Sequence, residues 1–192
     1  PGPLGTMMLG DLGAEVIKIG PPPTVGARQA TREARKREVV YHATDRNKRS
    51  NLLNLKSEEA HHIFYQLAEK ADVIIEGFRP GVAKRLSIDY ETVAKINPRI
   101  IYCSVTGYGQ DGPYRDSPGH DINYISIGGV LNLIGEADRQ PVIPLNLIAD
   151  FGAGGMSATV GVLSALMARG KTGKGQYIDI SLTDSVISLL TH

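Results

Sequence analysis

Residues 117–125 read SPGHDINYI, placing one of only five histidines beside an aspartate, directly after Pro-Gly and before a helix-like pattern. A helix N-terminus disfavours the protonated imidazole, so His120 there suits a neutral base better than a simple cap. A second acid-base candidate, Asp150, follows the apolar approach PLNLIA at what reads as the start of another helix. On the local pattern alone a carboxylate in that position reads first as an N-cap, with the acid-base role as the alternative. A third group is basic: TREARKRE at 31–38 and DRNKRS at 45–50. On loops, Arg and Lys suit phosphates, the one by bidentate contact and the other as a point charge. A solvated charge run reads the same way.

Other patterns fail on inspection. Gly107, Gly109 and Gly112 spell G-x-G-x-x-G after a strand. The dinucleotide fingerprint needs a helix to open there, and Pro113 and Pro118 oppose one. GKT at 170–172 lacks the first glycine of a phosphate loop, Ala165 standing in its place. His61-His62 has no second ligand pair beside it, so a solvated helix face is the reading and no metal site is expected. Cys103, the single cysteine, lies in the apolar run IIYCSV and reads as a core thiol.

The elements that must position these groups alternate. A helix over residues 4–12 ends at Gly13, followed by a short buried strand over 14–19, a long basic loop over 20–50, and a strand over 51–55. Ser57 caps a helix with Glu58 and Glu59 in its first turn and apolar residues at helical spacing. Strand 73–76, short helices near 82–86 and 90–96, and strand 99–105 follow. The helices expected over 121–134 and 150–168 then carry His120 and Asp150 at their starts, and a last strand occupies 177–182. Apolar strands alternating with helices argue for α/β architecture: a Rossmann-like parallel sheet with helices on both faces.

Composition sets the bounds. The 192 residues suit one ordinary domain, and the net charge of +1 gives no general pull toward nucleic acid. A single cysteine permits no disulfide within the chain, in keeping with an intracellular protein. No signal peptide and no apolar run long enough to cross a bilayer stand out, and no membrane partner is expected. The chain opens without a preceding strand and stops inside a helical pattern, which reads as a piece of a longer protein.

The segments PGPLGTMMLGDLGAEVIKI, NKRSNLLNLK, ADVIIEGFRPGVAKRL, NPRIIYCSVTGYGQDGPY, GHDINY, PLNLIADFGAGG and KTGKGQYIDISL, taken together, resemble family III CoA transferases of the CaiB/BaiF type. That family also contains α-methylacyl-CoA racemase, and GHDINY followed by NLIADFGAGG is closest to the racemase version. Gly20 and Asn54 depart from the usual pattern, where an acidic residue and LDLK stand.

The resemblance implies that residues 1–192 are part of the large, CoA-binding domain, with a first strand and a small C-terminal domain elsewhere in the protein. It implies a homodimer of interlocked subunits, an acyl-CoA substrate and no prosthetic group, coenzyme A entering as part of the substrate. Bacterial members are cytoplasmic, and animal racemases work in mitochondria and peroxisomes. In a racemase His120 and Asp150 flank the α-carbon of a 2-methylacyl-CoA, and the Asp121 N–H is the candidate donor to the enolate oxygen. In a transferase Asp150 is instead a covalent nucleophile. Leu53, Lys56, Arg79, Arg85 and Tyr124 match CoA-contacting positions, and Arg32 is expected to join them.

Overall fold

The computed structural model describes residues 1–22 and 43–191. Arg32 and the basic run 31–38 lie outside the described residues.

Helix α1 (Gly2–Asp11) leads to β1 (Val16–Gly20), and a 3₁₀ turn (Ala43–Asp45) precedes β2 (Lys48–Leu52). The order continues α2 (Glu58–Lys70), β3 (Val73–Glu76), α3 (Val82–Arg85), α4 (Tyr90–Ile96), β4 (Ile101–Thr106) and α5 (Asp121–Ile127). A π-helical segment (Leu147–Gly155) runs directly into α6 (Met156–Thr172), followed by β5 (Gln176–Ser181) and α7 (Leu182–Ser188).

Local chemistry accounts for the helix starts. Ser57 accepts from the Ala60 N–H at 3.3 Å, and acidic Glu58 and Glu59 sit at the positive end of the α2 dipole with Lys70 at the other. Asp89 caps α4 by accepting from the Thr92 N–H at 3.2 Å. Ala60, Phe64 and Ala68, four residues apart, form the buried stripe of α2.

All strand pairs are parallel. β1 pairs with β2, and β3, β4 and β5 form a second sheet in that order. Every residue of β4 is buried, and its alternation divides the core. Cys103 and Val105 face a cluster with Ile125, Ala153, Val162 and Val186. Tyr102 faces the opposite cluster with Phe64, Ala68 and Val93. The β3–β4–β5 sheet is therefore covered on both faces, as its continuous apolar runs predict. Cys103 is fully enclosed, and burial pushes its thiol up to about 12, which suits a core residue and not a nucleophile.

Four expectations change. The strand expected to be buried over 14–19 is largely exposed, with Ile17 43% accessible: among the described residues β1 pairs only with β2, and its other edge borders a cavity. β2 starts at Lys48, three residues early, leaving 53–55 to turn into α2. α5 stops at Ile127, where Gly128 and Gly129 interrupt it, and Leu131–Leu133 is a separate 3₁₀ turn. Asp150 does not begin a helix: the helical run starts at Leu147 and continues unbroken to Thr172.

That 26-residue run is long and apolar enough to cross a membrane by length and composition, contrary to the reading of the sequence. Its Ala158, Val162 and Ala165 are buried against the protein's own core. The extra length comes from the π segment at one end and from RGKT, read as loop, at the other.

Candidate functional site

The two loops at the C-terminal ends of β3 and β4 and the π segment meet around one cavity of ≈ 1560 Å³. Its walls include the free edges of β1 and β3, and at one end His120, Tyr124, Asp150 and Arg79. Ligands of open parallel sheets bind outside the carboxyl ends of the strands, the place these loops occupy.

His120 is the residue immediately before α5, with extended backbone, and its backbone N–H donates to Asn123 Oδ1 at 3.0 Å. The side chain is exposed. The imidazole therefore hangs over the cavity from a fixed backbone.

Asp150 sits four residues into the π segment and is half-buried. Such i→i+5 turns recur at functional sites because they widen the helix and re-aim a side chain. Its backbone N–H donates to Asp121 Oδ2 at 2.8 Å, joining the two segments across a separation of 29 residues. Asp121 is 2% accessible, and its other oxygen, Oδ1, is buried with no hydrogen-bond partner among the described residues. The side chain of Asp121 thus ties α5 to the π segment, while its N–H belongs to the first helical turn, where donors have no intrahelical partner.

Electrostatics follow from this packing. Burial raises the Asp150 pKa above the ordinary carboxylate range; the Asp121 carboxylate raises it further, while His120 opposes the shift. A half-buried carboxyl beside another carboxylate holds its proton to higher pH and can serve as an acid.

Tyr124 is clamped. A Cβ on Gly107 would overlap its ring, and one on Gly119 would lie within 2.6 Å of it, so both positions require glycine for this close approach. The ring also meets Tyr108 edge-on at 5.1 Å between centroids. Burial first, then Tyr108 and Asp150, push the phenol up to about 12, with Arg79 opposing. The hydroxyl is therefore a neutral donor at physiological pH.

The remaining expected positions divide. Arg79 is exposed and lines the cavity with the acid-base pair. Arg85 and Lys56 are exposed but do not border it, and Leu53 is a core residue, 8% accessible, packed with Phe64 and Ile88. Two lining residues escaped the sequence reading, Tyr108 and Arg115. Both lie in TGYGQDGPYRDSPG, which has no period to read; the signal available was an arginine and aromatics in a Gly/Pro-rich loop just before His120. Among the described residues no group of three or more His, Cys, Asp or Glu could hold a metal ion.

Comparison with known proteins identifies the family. Residues 1–192 match CoA-transferase family III. Alpha-methylacyl-CoA racemase of Mus musculus is 38% identical over 189 residues, 98% of this chain and 46% of that protein. Acetyl-CoA:oxalate CoA-transferase of Acetobacter aceti is 41% identical over 196 residues, 100% of this chain and 49% of that protein. The crystal structure of a CaiB/BaiF family protein from Brucella suis superposes with a TM-score of 0.85 at 35% identity, covering 98% of this chain and 51% of that one. The chain spans about half the length of these relatives, and racemase and transferase match it at similar identity.

Proposed function

The chain belongs to CoA-transferase family III, and from that premise we propose that its protein racemises 2-methylacyl-CoA thioesters by proton transfer at the α-carbon. The observation that carries this reading is the placement of His120 and Asp150, on separate elements, around one cavity. Inversion at carbon needs an acid and a base on opposite faces, exchanging roles with direction.

In one direction the neutral His120 imidazole removes the α-proton, and the C–H electron pair moves into the thioester carbonyl to give an enolate. Asp150, protonated, then delivers its proton to the other face, and the electron pair returns to carbon. The product has the opposite configuration, with His120 now protonated and Asp150 ionised; proton exchange with solvent resets the pair. The Asp121 N–H stabilises the enolate oxygen, a contribution of roughly 2.7–4 kcal/mol where such donors have been removed.

Tyr124, fixed between Gly107 and Gly119, borders the thioester, and Arg79 binds the anionic part of coenzyme A. The reaction needs no prosthetic group. The span of cavity between the free edges of β1 and β3 fits a further parallel strand of the whole protein, leaving the end at His120 to the substrate. Interlocked homodimerisation belongs to the same proposal.

The second reading makes Asp150 a nucleophile that attacks an acyl-CoA and expels CoA thiolate as a mixed anhydride forms; the thiolate then attacks the aspartyl carbonyl, releasing the acyl group as a free carboxylate and leaving CoA as an aspartyl thioester. Its support is the transferase relative at 41% identity. Hydroxylamine or borohydride treatment of the full-length protein with acyl-CoA, followed by mass spectrometry of the Asp150 peptide, separates the two. An unmodified Asp150 is expected; a trapped adduct would overturn the racemase reading.

A further inference from the structure

Glu76 closes β3 with a carboxyl group that the reaction above does not use, although the residue borders the cavity. β3 pairs with β4 so that Glu76 stands opposite Ser104, and by the alternation of a pleated sheet both side chains lie on the face of Tyr102. Cys103 and Val105 point the other way, into the cluster that contains Tyr124 and Ile125. The carboxyl of Glu76 thus belongs to the face turned away from that cluster.

Both of its oxygens are engaged. Ser104 Oγ, on a residue 3% accessible, donates to Oε1 at 2.5 Å, and the Phe78 N–H donates to Oε2 at 2.7 Å. The first bond holds the carboxyl to the central strand of its sheet, and the second draws in the chain two residues after β3 ends. Burial raises the Glu76 pKa; the Ser104 and Phe78 donors oppose that shift, and the Asp179 carboxylate adds to it. Among the described residues no other side chain hydrogen-bonds the backbone of residues 77–80. The helix that follows is a single turn, and Gly81 before it supplies no side-chain cap. Yet this turn is part of the cavity wall. Phe78, Arg79 and Pro80 all border the cavity, and Arg79 lies near enough to Tyr124 to act on its phenol.

We infer that Glu76 is a positioning residue: by bridging Ser104 to the Phe78 N–H it fixes the turn of residues 77–80, and with it the place of Phe78 and Arg79 on the cavity wall. It acts on substrate binding through that turn and takes no part in the proton transfer. Ser104 is the buried end of the same bridge. The substrate named rests on the acyl-CoA reading above.

The test measures KM and kcat for a 2-methylacyl-CoA, and Tm, in the full-length protein and its Glu76→Ala, Glu76→Gln and Ser104→Ala variants. Glu76→Ala is expected to raise KM about tenfold with kcat changed less than about twofold, the pattern of lost binding common to ground and transition states. Gln keeps an oxygen for the Phe78 N–H and an amide that can donate to Ser104 Oγ, so Glu76→Gln should stay near the wild-type KM. Ser104 does not border the cavity, yet Ser104→Ala frees one end of the bridge and should raise KM in the same direction by less. Three results would overturn the role: an unchanged KM in Ser104→Ala, a loss in Glu76→Gln equal to that in Glu76→Ala, or a lower Tm in Glu76→Ala with KM unmoved. Wild-type protein inactive on 2-methylacyl-CoA would overturn the function proposed above instead. The variants are then compared by equilibrium binding of CoA, where the same order of affinity is expected and equal affinities would overturn the bridge.

Discussion

His120 and Asp150 face the same cavity from opposite kinds of support. His120 is exposed, set on extended backbone just outside a short helix, with its backbone N–H held by one local bond to Asn123. Asp150 is half-buried within a π turn, and its N–H is held by a carboxylate 29 residues away in sequence. Two proton-transfer groups with ordinary affinities several units apart would work poorly as a pair. Burying the carboxyl beside Asp121 raises the proton affinity of the weaker base.

Removing either member breaks the comparison most severely. Asp150→Asn and His120→Ala should each lower racemisation by about 10²–10⁴-fold, measured as loss of optical purity of a 2-methylacyl-CoA. Equal rates in wild type and either variant would exclude that residue as a proton carrier.

Asp121 sharpens the comparison. Asn at 121 keeps an acceptor for the Asp150 N–H but removes the neighbouring negative charge, so the Asp150 pKa falls. Because Asp150 acts as an acid in its protonated form, the limb on which activity drops with rising pH should move to lower pH in Asp121→Asn. A pH profile of kcat that coincides with wild type would show that Asp121 has no electrostatic hold on Asp150. Asp121→Ala strands the N–H as well and should cost about 1–3 kcal/mol of stability in denaturant unfolding.

Smaller effects fall on the clamp between the two sides. Gly107→Ala forces a methyl group into the Tyr124 ring and should cost about 1–3 kcal/mol through overpacking, seen as a lower Tm. Tyr124→Phe keeps the ring and loses only the hydroxyl. Its expected effect is a few-fold rise in KM with Tm unchanged, and an altered Tm would assign the hydroxyl a structural role.

The two supports also differ in how far the sequence reveals them. His120 was legible because its position depends on neighbours: Pro-Gly ends the loop, and Asn123 reaches back three residues. The sheet around β4 was legible for the same kind of reason, since six consecutive buried residues leave an apolar run. Asp150 was legible as a residue but not as a geometry. LNLIADFGAGG is apolar and small throughout, which conceals whether the turn is α or π, and the Asp121 bond that places it is a contact of the fold alone. The apolar residues of β1 border the cavity on the edge that the proposed further strand would cover. Arg115 stayed hidden because it lies in a Gly/Pro-rich loop with no period to read.

The most direct test follows the α-proton of a 2-methylacyl-CoA by NMR in deuterated buffer, with full-length protein and no acyl acceptor. Exchange of the proton for deuterium together with loss of optical purity is the result predicted here. No exchange, with CoA transferred once a free carboxylic acid is added, would contradict the account and leave Asp150 as a nucleophile.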